Sequence, residues 1–96
     1  MAKTLTNEEI QEEVKELSGW IADTETSLLQ KEFEFENFSD AMVFVNRVAE
    51  IAEEENHHPD ICVSYNSVVL MLTTHDAGGL TQRDFYVAGR IEELGG

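Results

Sequence analysis

The apolar and polar positions switch between helical and strand spacing along the chain, and this predicts the order of the elements. Thr6 and Glu9 have the spacing of a capping box, which places the start of a first helix there. An apolar stripe with the period of a helix follows at Ile10, Val14 and Leu17. Ser18-Gly19 is predicted to end this helix, because glycine suits the position after a helix.

A β-hairpin is predicted next. Trp20–Ala22 is expected to form a short strand, and the polar residues 23–27 a turn. From Leu28 to Phe38 the polarity alternates, which is typical of a strand with one buried and one solvated face. The side chains expected on the buried face are Leu29, Phe33 and Phe35.

The longest helix is predicted between Ser39, as its N-cap, and about Glu55. Phe38 and Val43 have the spacing of a hydrophobic staple. The apolar face of this helix is broad and comprises Ala41, Phe44, Val45, Val48, Ile51 and Ala52. Met42 and Ala49 widen it further, so the helix is either simply central to the core or also part of a subunit interface.

Two strands and a third helix complete the pattern. The strands are expected over 61–65 and 68–75, joined by a tight turn at Asn66-Ser67. Both faces of the second strand are partly apolar, so it is expected to be central or covered at an interface. After a flexible loop over 76–79, Thr81 and Asp84 resemble a capping box that begins the third helix.

The resulting order, α-β-β-α-β-β-α, predicts an α+β fold in which three helices pack against a single four-stranded antiparallel sheet. With 96 residues the chain has the size of one domain, which is taken to be residues 1–96.

Charge and composition exclude several classes of protein. The chain has 20 acidic and 6 basic residues and a formal net charge of −14, which argues against nucleic acid and anionic membrane surfaces as partners. It contains no apolar run of the roughly 20 residues that a membrane helix needs, and no signal-peptide core follows Met1. Cys62 is the single cysteine, which excludes an internal disulfide. A cytoplasmic protein is expected.

The three histidines are close in the sequence, at His57, His58 and His75. Because histidine titrates near neutrality, such a cluster could exchange protons with a substrate. Pro59 biases His58 away from helical geometry, and successive side chains of an extended segment point to opposite sides. His57 and His58 are therefore expected to have different tasks.

A zinc site built from one of the paired histidines, His75 and an acid is a second interpretation. It is disfavoured because adjacent histidines point apart and because the sequence has neither a cysteine pair nor an HExxH helix. Neither a metal nor an organic cofactor is expected. A third interpretation is that each histidine is only solvated or hydrogen-bonded.

The spacing of these residues resembles the signature of the pterin-4a-carbinolamine dehydratase family. The matching positions are Glu53, His57, His58, Pro59, Tyr65, His75 and Asp84. The stretch 73–81 and Gly19-Trp20 are also similar to that family, so the resemblance covers nearly the whole chain.

The resemblance implies a hydro-lyase, 4a-hydroxytetrahydrobiopterin dehydratase, which removes water from the product of aromatic amino acid hydroxylation and yields the quinonoid dihydropterin. It implies that catalysis rests on His57, His58 and His75, with His58 as the leading base and the other two on the hydroxyl side. The division of the proton transfers among the three stays open.

The resemblance also implies binding and supporting residues. Those expected to border the pterin are Asn56, Thr73, Thr74, Asp76 and Trp20, although Trp20 could instead belong to the core. The supporting residues are Glu53, Pro59 and Asp84, of which Glu53 could orient a histidine and Asp84 could cap the third helix.

Family members associate as homodimers or homotetramers, and the same is implied here. Two alternative functions stay open. One is a non-catalytic module that binds a pterin or a protein, and the other is a related enzyme acting on another pterin, such as a molybdopterin-type compound.

Overall fold

The computed structural model describes residues 3–94, which form an α+β fold with the predicted order of helices and strands. The helices are α1 (Asn7–Val14), α2 (Phe38–Glu55) and α3 (Gln82–Glu92). The strands are β1 (Ile21–Asp23), β2 (Leu28–Glu34), β3 (Asp60–Ser64) and β4 (Ser67–Leu72). All neighbouring strands are antiparallel, in the order β1-β2-β4-β3. None of the helices in this range is long and apolar enough to cross a membrane.

One face of the sheet carries the core. Across β2 and β4, Leu29 pairs with Leu72 and Phe33 with Val68, and all four side chains are buried. They join one cluster with the buried residues of the three helices. On the other face of the central strand β4, Val69 is only half-buried. The prediction that β4 is central is therefore confirmed, because the sheet order places it between β2 and β3.

The first helix begins as predicted but ends early. The Glu9 carboxylate accepts from the Thr6 amide at 2.8 Å, and the Thr6 hydroxyl accepts from the Glu9 amide at 3.1 Å. The helix stops at Val14, and turns lead on to Gly19, whose φ is +83°. This φ favours glycine where the chain turns into β1, because a residue with a Cβ would be strained there.

The predicted start of α2 is wrong by two residues. Its N-cap is Asn37, not Ser39, and the Asn37 side chain accepts from the Asp40 amide at 2.8 Å. Phe38 and Val43 do not form a staple, because both are about half exposed. Asn and Ser are equally good caps, and the sequence offers both within one turn.

The strand boundaries also differ from the prediction. β2 ends at Glu34; the amide of Phe35 still bonds in register to the Asn66 carbonyl at 2.8 Å, and the Phe35 carbonyl accepts from the Asn66 side chain at 3.0 Å, where the turn before β4 begins. The turn between β3 and β4 is Tyr65–Asn66, one residue earlier than predicted, since Ser64 pairs with Ser67. β4 stops at Leu72 and not at His75.

The segment expected to be a flexible loop has defined structure. His75–Ala77 form a short 3₁₀ helix that ends at Gly78, whose φ is +79°. Thr74 and Gly79 form an isolated antiparallel bridge across it. The bridge fixes the direction in which the chain leaves β4 and enters α3.

Candidate active site

A pocket of about 290 Å³ lies where the end of α2, the end of β4 and the start of α3 meet. It is lined by Asn56, His57, His58, Thr73, Thr74, His75, Asp76 and Arg83. All three histidines therefore contribute to one pocket, together with four of the five residues predicted to bind the substrate. A larger hollow of about 780 Å³ lies between residues 3–9 and the start of α3, but it contains no histidine.

The left-handed residue at the end of α2 directs the histidine pair. Asn56 has φ 52° and ψ 43°, a conformation that asparagine tolerates better than most residues. The amide of His57 then bonds back to the Ala52 carbonyl at 3.1 Å. This closes the helix and sends the chain into Pro59 and β3, so that both histidines stand at the helix end.

His57 is held from behind by a buried carboxylate. Its Nε2 lies 2.6 Å from Oδ1 of Asp84, whose side chain is completely buried. The other oxygen, Oδ2, accepts from the Thr81 amide at 2.9 Å and from the Thr74 hydroxyl at 2.8 Å. Asp84 therefore caps α3, as the sequence indicated, and also contacts a histidine 27 residues away.

His58 is directed toward solvent and has a different carboxylate. Its side chain is 55% exposed, and its Nε2 lies 2.5 Å from Oε2 of Glu53, which is 77% exposed. Glu53 lies in the last turn of α2, so the helix end and the left-handed turn bring the two side chains together. The pair thus diverges, with His57 buried and His58 exposed.

His75 completes the cluster from the other side. It begins the 3₁₀ helix after β4 and is exposed at the pocket. Among residues 3–94, no side chain or backbone group forms a hydrogen bond with its imidazole. Of the three histidines it is the one that no carboxylate of the described chain holds.

Arg83 lines the pocket and was missed by the sequence analysis. Its guanidinium donates to the Asn56 carbonyl at 2.8 Å and ties the start of α3 to the turn that carries the histidines. The only signal in the sequence was a cation next to Asp84 in a chain with 6 basic residues.

Trp20 does not reach the pocket. It is buried in the core, where its ring packs edge-on against Phe33 with centroids 6.0 Å apart. Its indole N–H donates to Glu92 at 2.8 Å, and Lys31 binds the same carboxylate oxygen at 2.8 Å. Trp20 therefore lies in the core, the alternative that the sequence left open, and not among the residues that line the histidine pocket.

Within the described range, no group of three or more His, Cys, Asp and Glu side chains is arranged to hold a metal ion. The clustered acids and histidines instead form two separate carboxylate–imidazole pairs. Such a pair fixes the orientation of the ring and stabilises the imidazolium that forms when the free nitrogen takes a proton. The site is therefore equipped for acid–base chemistry.

Comparison with known proteins agrees with the geometry. The family model described as pterin 4 alpha carbinolamine dehydratase matches residues 3–94. A relative from Nostoc sp. is 51% identical over 98% of this chain and 99% of its own length. One from Sulfurisphaera tokodaii is 46% identical over 96% of this chain and 97% of its own. Both are named, provisionally, as pterin-4-alpha-carbinolamine dehydratases.

Solved structures show the same fold. The transcriptional coactivator/pterin dehydratase from Brucella melitensis has a TM-score of 0.92 and 32% identity over 98% of this chain and all of its own. A pterin dehydratase-like protein described as a RuBisCO assembly factor has a TM-score of 0.68 over 81% of this chain and 90% of its own. At 24% identity, the second shares the fold alone. The match over residues 3–94 and the near full-length relatives place this chain in the pterin-4a-carbinolamine dehydratase family.

Proposed function

We propose that this protein is a 4a-hydroxytetrahydropterin dehydratase that serves tetrahydropterin recycling. The observation that carries the proposal is the convergence of His57, His58 and His75 on one pocket, two of them held by their own carboxylates. In the reaction the bond between C4a and the hydroxyl oxygen breaks, a ring N–H gives up its proton, and water and the quinonoid dihydropterin are released. The site must therefore accept one proton and donate another.

His58 is proposed to accept the ring proton. Its Nε2 is occupied by Glu53, which leaves Nδ1 for the substrate, and the carboxylate stabilises the imidazolium that forms. Because His58 is half exposed, the proton can return to solvent after each turnover.

His57 and His75 are proposed to stand on the hydroxyl side. His57 is fixed by Asp84, whereas His75 has no such partner among the described residues and is free to follow the departing oxygen. Asn56, Thr73 and Asp76 complete the wall on which the pterin ring would rest.

The direct test is dehydration of the 4a-hydroxypterin, followed by ultraviolet absorbance in a coupled hydroxylase assay. The wild-type protein is expected to accelerate it, and His58→Ala to lose on the order of 10²–10⁴-fold in kcat, the contribution of a positioned acid or base. Glu50→Gln, on the exposed side of α2, is the matched control and should retain full activity. A folded wild-type protein that does not exceed buffer contradicts the proposal.

Two further experiments distinguish the dehydratase from an enzyme that acts on another pterin and from a non-catalytic binding module. Turnover of defined pterins that differ in their substituent identifies the substrate, including a molybdopterin-type compound. A non-catalytic binding module predicts that pterin binding is present without turnover and survives replacement of both His58 and His75 by alanine.

We further propose that the protein works as a homodimer or homotetramer. α2 leaves Phe38 and Val43 exposed on its surface, and Met42 beside them is only half-buried. Exposed apolar side chains grouped in the first turns of one helix support such an interface.

A further inference from the structure

Thr74 is more deeply buried than its expected role in substrate binding requires. It was predicted to border the substrate, yet it is only 3% exposed, at the point where β4 leads into the 3₁₀ helix. Its hydroxyl lies 2.8 Å from Oδ2 of Asp84 and 2.9 Å from the hydroxyl of Thr81. Both partners are themselves buried, so the hydroxyl of Thr74 belongs to a network behind His57.

The direction of each hydrogen bond in this network follows from a count of donors. An ionised carboxylate only accepts, so with Asp84 ionised the single hydroxyl proton of Thr74 goes to Asp84. Thr81 must then donate its own hydroxyl proton to Thr74, and its oxygen accepts from the Arg83 amide at 3.2 Å. Within residues 3–94, no buried side-chain nitrogen or oxygen is left without a partner.

The same count of donors and acceptors shows which ring nitrogen of His57 carries the proton. The Thr81 amide and the Thr74 hydroxyl both occupy Oδ2, which turns Oδ1 toward the imidazole. Since Oδ1 only accepts, Nε2 of His57 must carry a proton, and Nδ1 is the nitrogen left to face a substrate.

We propose that Thr74 is a positioning residue that acts through Asp84 to keep the proton of His57 on Nε2. Its catalytic consequence rests on the proposed dehydratase function, whereas the position of the proton does not. Without the Thr74 hydroxyl, Oδ2 keeps only the Thr81 amide, and the Thr81 hydroxyl loses its acceptor. The loss of the Thr74 donor frees the carboxylate to turn away from His57, which allows His57 to place its proton on Nδ1.

The experiment reads the histidine tautomers directly, by ¹⁵N NMR of imidazole-labelled protein at a pH where the ring is neutral. The wild-type His57 is expected to show the Nε2–H pattern alone. Thr74→Val should show a mixture of the two tautomers, and Thr74→Ser, which keeps the hydroxyl, should restore the wild-type pattern. Thr24→Val, in the exposed turn between β1 and β2, is the matched control and should leave it unchanged.

Kinetics give the second readout. Thr74→Val should lower kcat about tenfold with KM unchanged, the effect of losing one hydrogen bond to a charged group, and Thr74→Ser should restore it. Circular dichroism checks that each variant is folded, and Thr74→Ser keeps the test valid if Thr74→Val is not.

Two outcomes overturn the proposal. One is a Thr74→Val protein whose His57 keeps the wild-type tautomer while KM rises, which would make Thr74 a substrate contact. The other is a Thr74→Ser protein that fails to retain the Nε2–H form. If the wild-type protein has no dehydratase activity, the dehydratase function fails, and the NMR result still decides the role of Thr74.

Discussion

At the scale of single residues, the two adjacent histidines differ because the carboxylates that hold them differ in burial. Asp84 is fully buried and has three hydrogen-bond donors around it, whereas Glu53 is 77% exposed and, within residues 3–94, its carboxylate bonds only to His58. Removing a partner from a buried charge pair strongly destabilises a protein, whereas an exposed charge pair contributes little to its stability. The two positions therefore give different results when their charge is removed.

Glu53→Gln should affect activity more than stability. We expect kcat to fall by about three- to tenfold, because the imidazolium of His58 loses its counter-charge. The free energy of unfolding should change by less than about 0.5 kcal/mol, as for an exposed pair. Steady-state kinetics and urea unfolding measure the two effects, with Glu50→Gln as the unpaired control. A change in stability without a change in kcat would contradict the assignment of Glu53 to His58.

Asp84→Asn, unlike Glu53→Gln, should lower stability strongly. The free energy of unfolding is expected to fall by about 3 kcal/mol, since one partner of a buried pair is lost and the cap of α3 is weakened. Urea unfolding with Glu93→Gln as an exposed control measures this. A loss below about 1 kcal/mol would mean that Asp84 is not held by the three donors seen here.

At the scale of the elements, local hydrogen bonds decide where each helix begins and ends. The capping box of α1 can be tested through its pH dependence, because it contains the carboxyl group of Glu9. The amide of Thr6, and then its hydroxyl, hold the pKa of the exposed Glu9 carboxyl below its ordinary value. A lowered pKa in the folded state means that the ionised form stabilises the fold above the unfolded pKa. This contribution is lost as the pH falls through the folded pKa.

Glu9→Gln should therefore lower the melting temperature near neutral pH and have no effect in acid. We expect the difference from wild type to be present at about pH 7 and to be lost in acid, once the pH has fallen below the lowered pKa of Glu9 in the folded protein. Thermal unfolding followed by circular dichroism measures it. Glu16→Gln, an exposed residue after the same helix, is the control and should show no such pH dependence. An equal difference at both pH values would exclude a role for the charge.

The left-handed end of α2 gives a second test at this scale. Asn56→Gly should leave stability within about 0.5 kcal/mol, whereas Asn56→Ala should cost about 1–2 kcal/mol because alanine is strained at this φ. Urea unfolding compares the two. Equal stabilities would show that the turn relaxes away from φ 52°.

At the scale of the whole molecule, the sheet is covered by helices on one face, and apolar side chains remain exposed on both sides. Val43 on α2 is 54% exposed, and Ile21 at the sheet edge is 62% exposed. Wild-type protein is expected to have the mass of a dimer or tetramer by light scattering, and Val43→Lys to lower it. Ile21→Lys is the matched control. A loss of mass with Ile21→Lys alone would place the interface on the sheet instead of α2.

Much of the fold could be predicted because it depends on neighbours in the sequence. Phe44, Val48 and Ile51 on α2 are buried as their spacing indicated, and the capping boxes at Thr6 and Thr81 are present. The predicted start of α2 was wrong because the sequence offers two equally good N-caps there, Asn37 and Ser39. The predicted boundaries were also wrong where the end of a strand depends on a distant residue, as at Phe35, whose carbonyl accepts from the Asn66 side chain.

The sequence by itself determined the order of the elements and the divergence of His57 from His58, because period, capping and the Pro59 restriction act between residues within about one helical turn. Only the tertiary structure decided the partners of these side chains. Asp84 reaches His57 across 27 residues, and Glu92 reaches Trp20 across 72. Those contacts arise from the packing of α3 against the sheet and α2, and nothing in the spacing of the chain specifies which carboxylate each aromatic or imidazole ring will meet.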